Sequence, residues 1–192
     1  KGGTCTLTAA QAGNDNYNLS LSVTQSFSIS LATQATLTVS SSSTITYGST
    51  MTLDTSGGSS TGVVSYGVTG DCTVSVTALT ATGNATATCF VTATKEGDTQ
   101  YAEAVATQTV TIAKSPSNSI TFDFLIDRPW SSSTFTVSPT ATSGDTPVIT
   151  SSTTSICTVS ILTITMVSSG TCSLTASEDG NGNYLAASDV VR

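Results

Sequence analysis

Apolar and polar residues alternate one by one along much of this chain. Leu19-Ser-Leu21-Ser-Val23, Phe27-Ser-Ile29-Ser-Leu31, Leu37-Thr-Val39, Val74-Ser-Val76, Val110-Thr-Ile112, Ile120-Thr-Phe122-Asp-Phe124 and Phe135-Thr-Val137 all follow this pattern. A period of two sends successive side chains to opposite faces of a pleated strand, so each run predicts a strand with one face on a core. Breakers such as Ser56-Gly57-Gly58, Gly83-Asn84 and Gly144-Asp145 separate the runs. No segment sustains a period of 3.6, so helices are not expected. Threonine, valine and isoleucine, stiff at χ1, suit a half-buried pleated surface. The pattern predicts an all-β protein.

A longer period lies over the short one. Gly3 to Tyr17 reads GTCTLTAAQAGNDNY, Ala87 to Tyr101 reads ATCFVTATKEGDTQY, and Gly170 to Tyr184 reads GTCSLTASEDGNGNY. In each, a cysteine is followed eight residues later by glycine and twelve residues later by tyrosine: Cys5/Gly13/Tyr17, Cys89/Gly97/Tyr101 and Cys172/Gly180/Tyr184. The copies stand 84 and 83 residues apart. Upstream, Cys72-Thr-Val-Ser-Val matches Cys157-Thr-Val-Ser-Ile, Tyr47 with Met51-Thr-Leu53 matches Trp130 with Phe135-Thr-Val137, and Val63-Val64-Ser65 matches Val148-Ile149-Thr150. A fixed period of this size signals tandem structural units. Residues 1–32 read as the C-terminal part of a preceding repeat, 33–114 as a repeat, and 115–192 as a repeat lacking its last strand. Some 80 residues with about seven short antiparallel strands match the immunoglobulin-like β-sandwich. A core that small gains from a covalent staple.

Five cysteines fit this frame. Cys72 with Cys89, and Cys157 with Cys172, are the pairs available within a repeat. The partner of Cys5 would precede Lys1, leaving Cys5 unpaired or paired outside this segment. The short spacings predict bridges between adjacent strands of a hairpin. A zinc site would want histidine or paired CxxC spacings, and neither occurs. Persistent disulfides imply an oxidising, extracellular setting.

Charge narrows the partners. Charged residues are only 9% of the chain, the net charge is −7, and Lys and Arg number five. No basic footprint exists to displace counterions from nucleic acid. No run approaches the roughly 18 apolar residues of a membrane span, and no signal-peptide pattern is present, so any leader or anchor is expected outside this segment.

The stretch from Ala35 to Ser115, with TYGSTMTLDTSGGSSTG, GDCTVSVTALTATG and ATCFVTATKEGDTQYAEAVATQTVTIAKS, resembles bacterial immunoglobulin-like repeats. The resemblance spans nearly the whole chain, with ITFDFLIDRPW replacing the TITYG segment in the last repeat. It implies long tandem arrays in large secreted or surface proteins: adhesins, stalks, S-layer-like coats or filaments. It implies no ligand.

Candidate chemistry is sparse. Without histidine, the Ser-His-Asp and Cys-His arrangements and HExxH zinc sites cannot be built. No GxSxG elbow joins a strand to a helix, so no enzyme is expected. The turns Asn14-Asp15-Asn16, Glu96-Gly97-Asp98 and Glu178-Asp179-Gly180 offer oxygen ligands that Ca²⁺ accepts. They read first as turns that exploit the tolerance of Asn, Asp and Gly for left-handed backbone, and no cofactor is expected. Tyr17, Tyr101 and Tyr184 read as corner residues bonding their hydroxyls to nearby backbone, with sugar stacking as the functional rival. Trp130, the only tryptophan, reads as core or edge packing, and Phe122 to Asp127 as a divergent core strand or a contact between units. Thr-x-Thr pairs such as Thr50/Thr52 read as outward strand positions rather than an ice-binding ladder. Asn18-Leu-Ser20 and Asn84-Ala-Thr86 are sequons, so Asn18 and Asn84 are candidate glycosylation sites in a host that modifies asparagine. No lysine suggests an isopeptide link.

The expected function is therefore a structural repeat segment of an extracellular stalk, adhesin or fibre. A self-assembling filament or sheath subunit, completed by strand addition between chains, is the second expectation, and a glycan- or receptor-binding module the third. Expected partners are neighbouring repeats or identical subunits, with surface glycans or proteins after them.

Overall fold

The computed structural model describes residues 1–131 and 133–192, and its regular elements are all strands. Residues 1–32 carry β1 (Gly3–Ala9) and β2 (Val23–Ile29). Residues 33–114 carry β3 (Leu37–Val39), β4 (Thr44–Thr46), β5 (Thr50–Thr52), β6 (Thr55–Gly57), β7 (Val64–Gly70), β8 (Cys72–Ser75), β9 (Ala78–Ala81), β10 (Thr88–Lys95) and β11 (Ala104–Ala113). Residues 115–192 carry β12 (Ile120–Thr121), β13 (Thr134–Thr136), β14 (Thr140–Ala141), β15 (Val148–Ser151), β16 (Cys157–Ser160), β17 (Thr163–Met166), β18 (Leu174–Ser177) and β19 (Val190–Val191). No helix among the described residues is long and apolar enough to cross a membrane.

The pairing recurs along the chain with the sequence period. The sheet β5-β9-β8 joins Met51 to Leu79 and Cys72 to Ala81; the sheet β13-β17-β16 joins Phe135 to Ile164 and Cys157 to Met166. Leu37↔Gly57 of β3-β6 is answered by Ile120↔Ala141 of β12-β14. In the long hairpins, Cys5 faces Phe27 as Cys89 faces Val110. Ala93↔Tyr66 reappears as Ala176↔Ile149. That last register shifts one match read from the sequence: Val148–Ser151 answers Ser65–Val68, two residues beyond the Val63-Val64-Ser65 alignment. A shift of two preserves which face each side chain takes, so alternation could not detect it.

Two sheets contribute to each buried cluster. In 33–114, Ile45, Val91, Val110 and Ile112 from β4-β11-β10-β7 meet Leu79 and Ala81 from β5-β9-β8. In 115–192, Ile149, Leu174 and Ala176 meet Ile164, Cys157 and Phe122. Every ladder among the described residues is antiparallel except β4 against β11, where Ile45 pairs with Ile112 in parallel. The expectation of purely antiparallel sheets is corrected there. β4, the second strand of the segment, lies at the edge beside β11, the last, instead of beside a sequence neighbour.

Other expectations change in detail. Leu19 and Leu21 lie outside any strand and are exposed, because Ser20 has turned back to donate its N–H to the Gln11 carbonyl at 3.0 Å. Beyond Thr121 the alternating run breaks. Phe122 enters the core, whereas Phe124 lies outside it against the Arg192 guanidinium, 4.9 Å from ring centroid to Cζ. Val76 closes a hairpin at positive φ instead of extending β8. The last strand expected to be missing from 115–192 has its beginning in place: Val190–Val191 pairs with β18, and Arg192 and Leu174 exchange backbone hydrogen bonds.

Candidate functional site

The cysteine–glycine–tyrosine motif builds the same turn three times. Asn14 Oδ1 accepts from the backbone N–H of Asn16 and Tyr17 at 2.9 and 3.0 Å. Asp98 Oδ1 accepts from Gln100 and Tyr101 at 2.8 and 2.9 Å. Asn181 Oδ1 accepts from Asn183 and Tyr184 at 2.9 and 3.1 Å. A short side chain that caps its own turn is the usual role of Asn and Asp here. The motif glycine is required by space: a Cβ on Gly13, Gly97 or Gly180 would stand 2.4, 2.5 or 2.5 Å from the tyrosine carbonyl oxygen. Gly13 and Gly180 also take φ of +76° and +79°.

The capping oxygens of these turns are spent on backbone. Asp98 accepts from Gln100, from Thr61 at 3.0 Å and from Tyr101, and these hydrogen bonds lower its pKa from 3.8 to about 2. Among the described residues, no group of three or more Cys, Asp or Glu side chains is placed to hold a metal ion. The tyrosines work differently from the expected corner. None of their hydroxyls bonds backbone among the described residues; their main chains do the joining. Ala32 and Tyr101 form a parallel bridge, and Ser115 and Tyr184 form its counterpart 83 residues later.

Two side chains that the sequence reading passed over lock these turns to the start of each segment. Gln34 donates from Nε2 to the Ala102 carbonyl at 2.7 Å and accepts on Oε1 from Ser59 and Ser60. Asn118, 84 residues on, donates to the Leu185 carbonyl at 2.8 Å and to the buried Glu178 carboxylate, and accepts from Ser143. The repeat spacing was the available signal, but Gln and Asn differ in length and the pair escapes a search for identical residues.

Cys72 is bonded to Cys89 and Cys157 to Cys172, with Cα atoms 5.7 and 5.6 Å apart; Cys5 is free. The bridges are not within a hairpin, as the spacing had suggested. Cys72 lies in β8 and Cys89 in β10, strands of different sheets. The chain changes sheet between them at Gly70-Asp71. Gly70 takes φ +93° there, and a Cβ on it would meet the Thr88 carbonyl oxygen at 2.5 Å. Cys157 in β16 likewise reaches Cys172, two residues before β18.

The turn also connects neighbouring segments. The Tyr184 ring packs edge-on against Tyr47, with centroids 5.5 Å apart and planes at 74°. Beside it, Asn183 accepts on Oδ1 from the Ala85 N–H at 2.9 Å and donates from Nδ2 to Asn84 Oδ1 at 3.1 Å. Thr86, next in the chain, takes φ +75°, a strained conformation for a β-branched residue. Asn84 is thus both a sequon residue and a junction acceptor, while Asn18 is exposed and outside the junction. Trp130 is 60% exposed, so it stands outside the core. It lines a cleft of about 370 Å³ with Arg128, Phe135, Ile156 and Ser168. Compared with known protein families and with curated proteins, the chain matches none of them.

Proposed function

We propose that this chain is a non-catalytic, load-bearing segment of an extracellular stalk, adhesin or fibre, built from tandem immunoglobulin-like units. The observation that carries the reading is the recurrence of one strand register at 83 to 85 residues, each copy clipped by a disulfide between two sheets. Such a clip holds two sheets together when the ends are pulled apart, and each unit contacts mainly its neighbours, as in quasi-one-dimensional arrays. Disulfides that persist need an oxidising compartment. The test is labelling of intact, non-permeabilised source cells with an antibody raised against residues 33–192. Surface or shed signal is expected; signal only after permeabilisation contradicts the proposal.

A further inference from the structure

We propose that Asn181-Gly182 is a self-modifying site, where the Gly182 backbone nitrogen turns the Asn181 side-chain amide into a carboxyl without an enzyme. The inference goes beyond the load-bearing reading and does not depend on it. Asn181-Gly182 is the only Asn-Gly pair in the chain. It lies in the third copy of the turn, whose Asn183 and Tyr184 sit against Asn84, Ala85 and Tyr47 of the preceding segment.

The turn supplies what the step needs. The attacking group is the Gly182 N–H, which donates no hydrogen bond among the described residues. Gly182 is exposed, and a Cβ on it would meet nothing within 4 Å, so nothing shields the nitrogen. The carbon attacked is Asn181 Cγ. Its oxygen already accepts from the Asn183 and Tyr184 N–H groups at 2.9 and 3.1 Å, so two donors face the atom on which negative charge develops. The leaving nitrogen, Nδ2, donates to Asp145 Oδ2 at 2.8 Å and to the Ser143 carbonyl at 3.3 Å. In the step the bond from Gly182 N to Cγ forms and the bond from Cγ to Nδ2 breaks. The Gly182 proton passes to the departing nitrogen, with the exposed Asp145 carboxylate placed to relay it, and ammonia leaves. Water then opens the cyclic imide at either carbonyl, giving aspartate or isoaspartate.

The other two copies of the turn serve as internal controls. Asn14 has the same cap but is followed by Asp15, and the middle copy already carries a carboxylate, Asp98. Asp98 shows that the cap itself tolerates a carboxylate oxygen. The products at 181 nevertheless act on the joint between the two segments. Aspartate there keeps the capping acceptor but loses the donor to Asp145, and sets two carboxylates against each other. Isoaspartate carries the main chain through the former side chain and lengthens it by one atom, so the cap no longer closes on Asn183 and Tyr184. Asn183 then releases the Ala85 N–H, and Tyr184 leaves the Tyr47 ring. The joint carries its own clock, driven by water and time.

The test is prolonged incubation of the folded chain in mildly alkaline buffer. Peptide mapping by mass spectrometry follows aspartyl and isoaspartyl products, and amide exchange at Ala85 is read in parallel. Asn181 should convert before any other asparagine. Ala85 exchange should rise about fivefold in the converted fraction, the effect of losing one neutral hydrogen bond. Gly182→Ala is the control, because Gly182 does not take left-handed backbone and its Cβ position is open. It should fold as wild type, convert severalfold more slowly and keep Ala85 exchange constant over the same time. An intact Asn181, another asparagine converting as fast or faster, or equal rates in wild type and Gly182→Ala would overturn the proposal. Conversion that leaves Ala85 exchange unchanged overturns the link to the joint. All of these are read on the isolated chain, so they stand or fall separately from the cell-surface labelling.

Discussion

One atom distinguishes the three turns. Asn14 and Asn181 cap theirs with a neutral amide oxygen, and Asp98 caps its own with a carboxylate whose pKa is lowered to about 2. A carboxyl with a depressed folded-state pKa contributes stability above its unfolded value of 3.8 and loses it as pH falls toward about 2. Acid should therefore loosen the 97–101 turn alone. Amide exchange at Gln100 and Tyr101 should accelerate between pH 4 and 2 while Asn183 and Tyr184 show no matching step, and Asp98→Asn should remove the difference. Val76 and Ile161 begin equivalent two-residue hairpin loops at φ 57° and 59°, where glycine is the preferred residue. Left-handed backbone costs a non-glycine residue roughly 1–2 kcal/mol, partly offset by glycine's greater entropy loss. Ile161→Gly should therefore raise stability by up to about 1 kcal/mol in urea denaturation. Both side chains are more than 85% exposed, so little packing is lost.

Among the elements, the disulfides matter most. Each closes a loop of 15 or 17 residues, worth about 3 kcal/mol in the chain-entropy model. Replacing Cys157 and Cys172 together by alanine should lower the stability of 115–192 by about that amount and leave 33–114 near its original midpoint. The all-β character and the disulfides were legible in the sequence, because alternation and cysteine spacing are local. The sheets that the bridges connect were not. That depends on the corner at Gly70-Asp71, where a strand leaves one sheet for another, and spacing alone cannot distinguish a corner from a hairpin. The turn was legible through its recurring glycine and tyrosine. The Gln34 and Asn118 locks were not, since their partners, mostly main-chain atoms, lie more than 24 residues away. Parallel pairing of β4 with β11 was equally hidden, because alternation carries face but no direction.

Across the whole molecule, the decisive feature is the short joint between 33–114 and 115–192. On one side Tyr47 donates its N–H to the Ala113 carbonyl, and on the other Ser115 is bridged to Tyr184, so a single residue, Lys114, separates the two attachments. With Asn183 and Tyr184 seated on the preceding segment, little chain is left to act as a hinge. In the proposed load-bearing role, force passes along this path through two clipped units in series. Pulling single chains by Lys1 and Arg192 with optical tweezers, oxidised and then reduced, tests that most directly. The expected record has two cooperative unfolding events, each lengthened on reduction by roughly 50–60 Å of newly released chain. A single event, gradual extension without events, or equal lengths before and after reduction would contradict it.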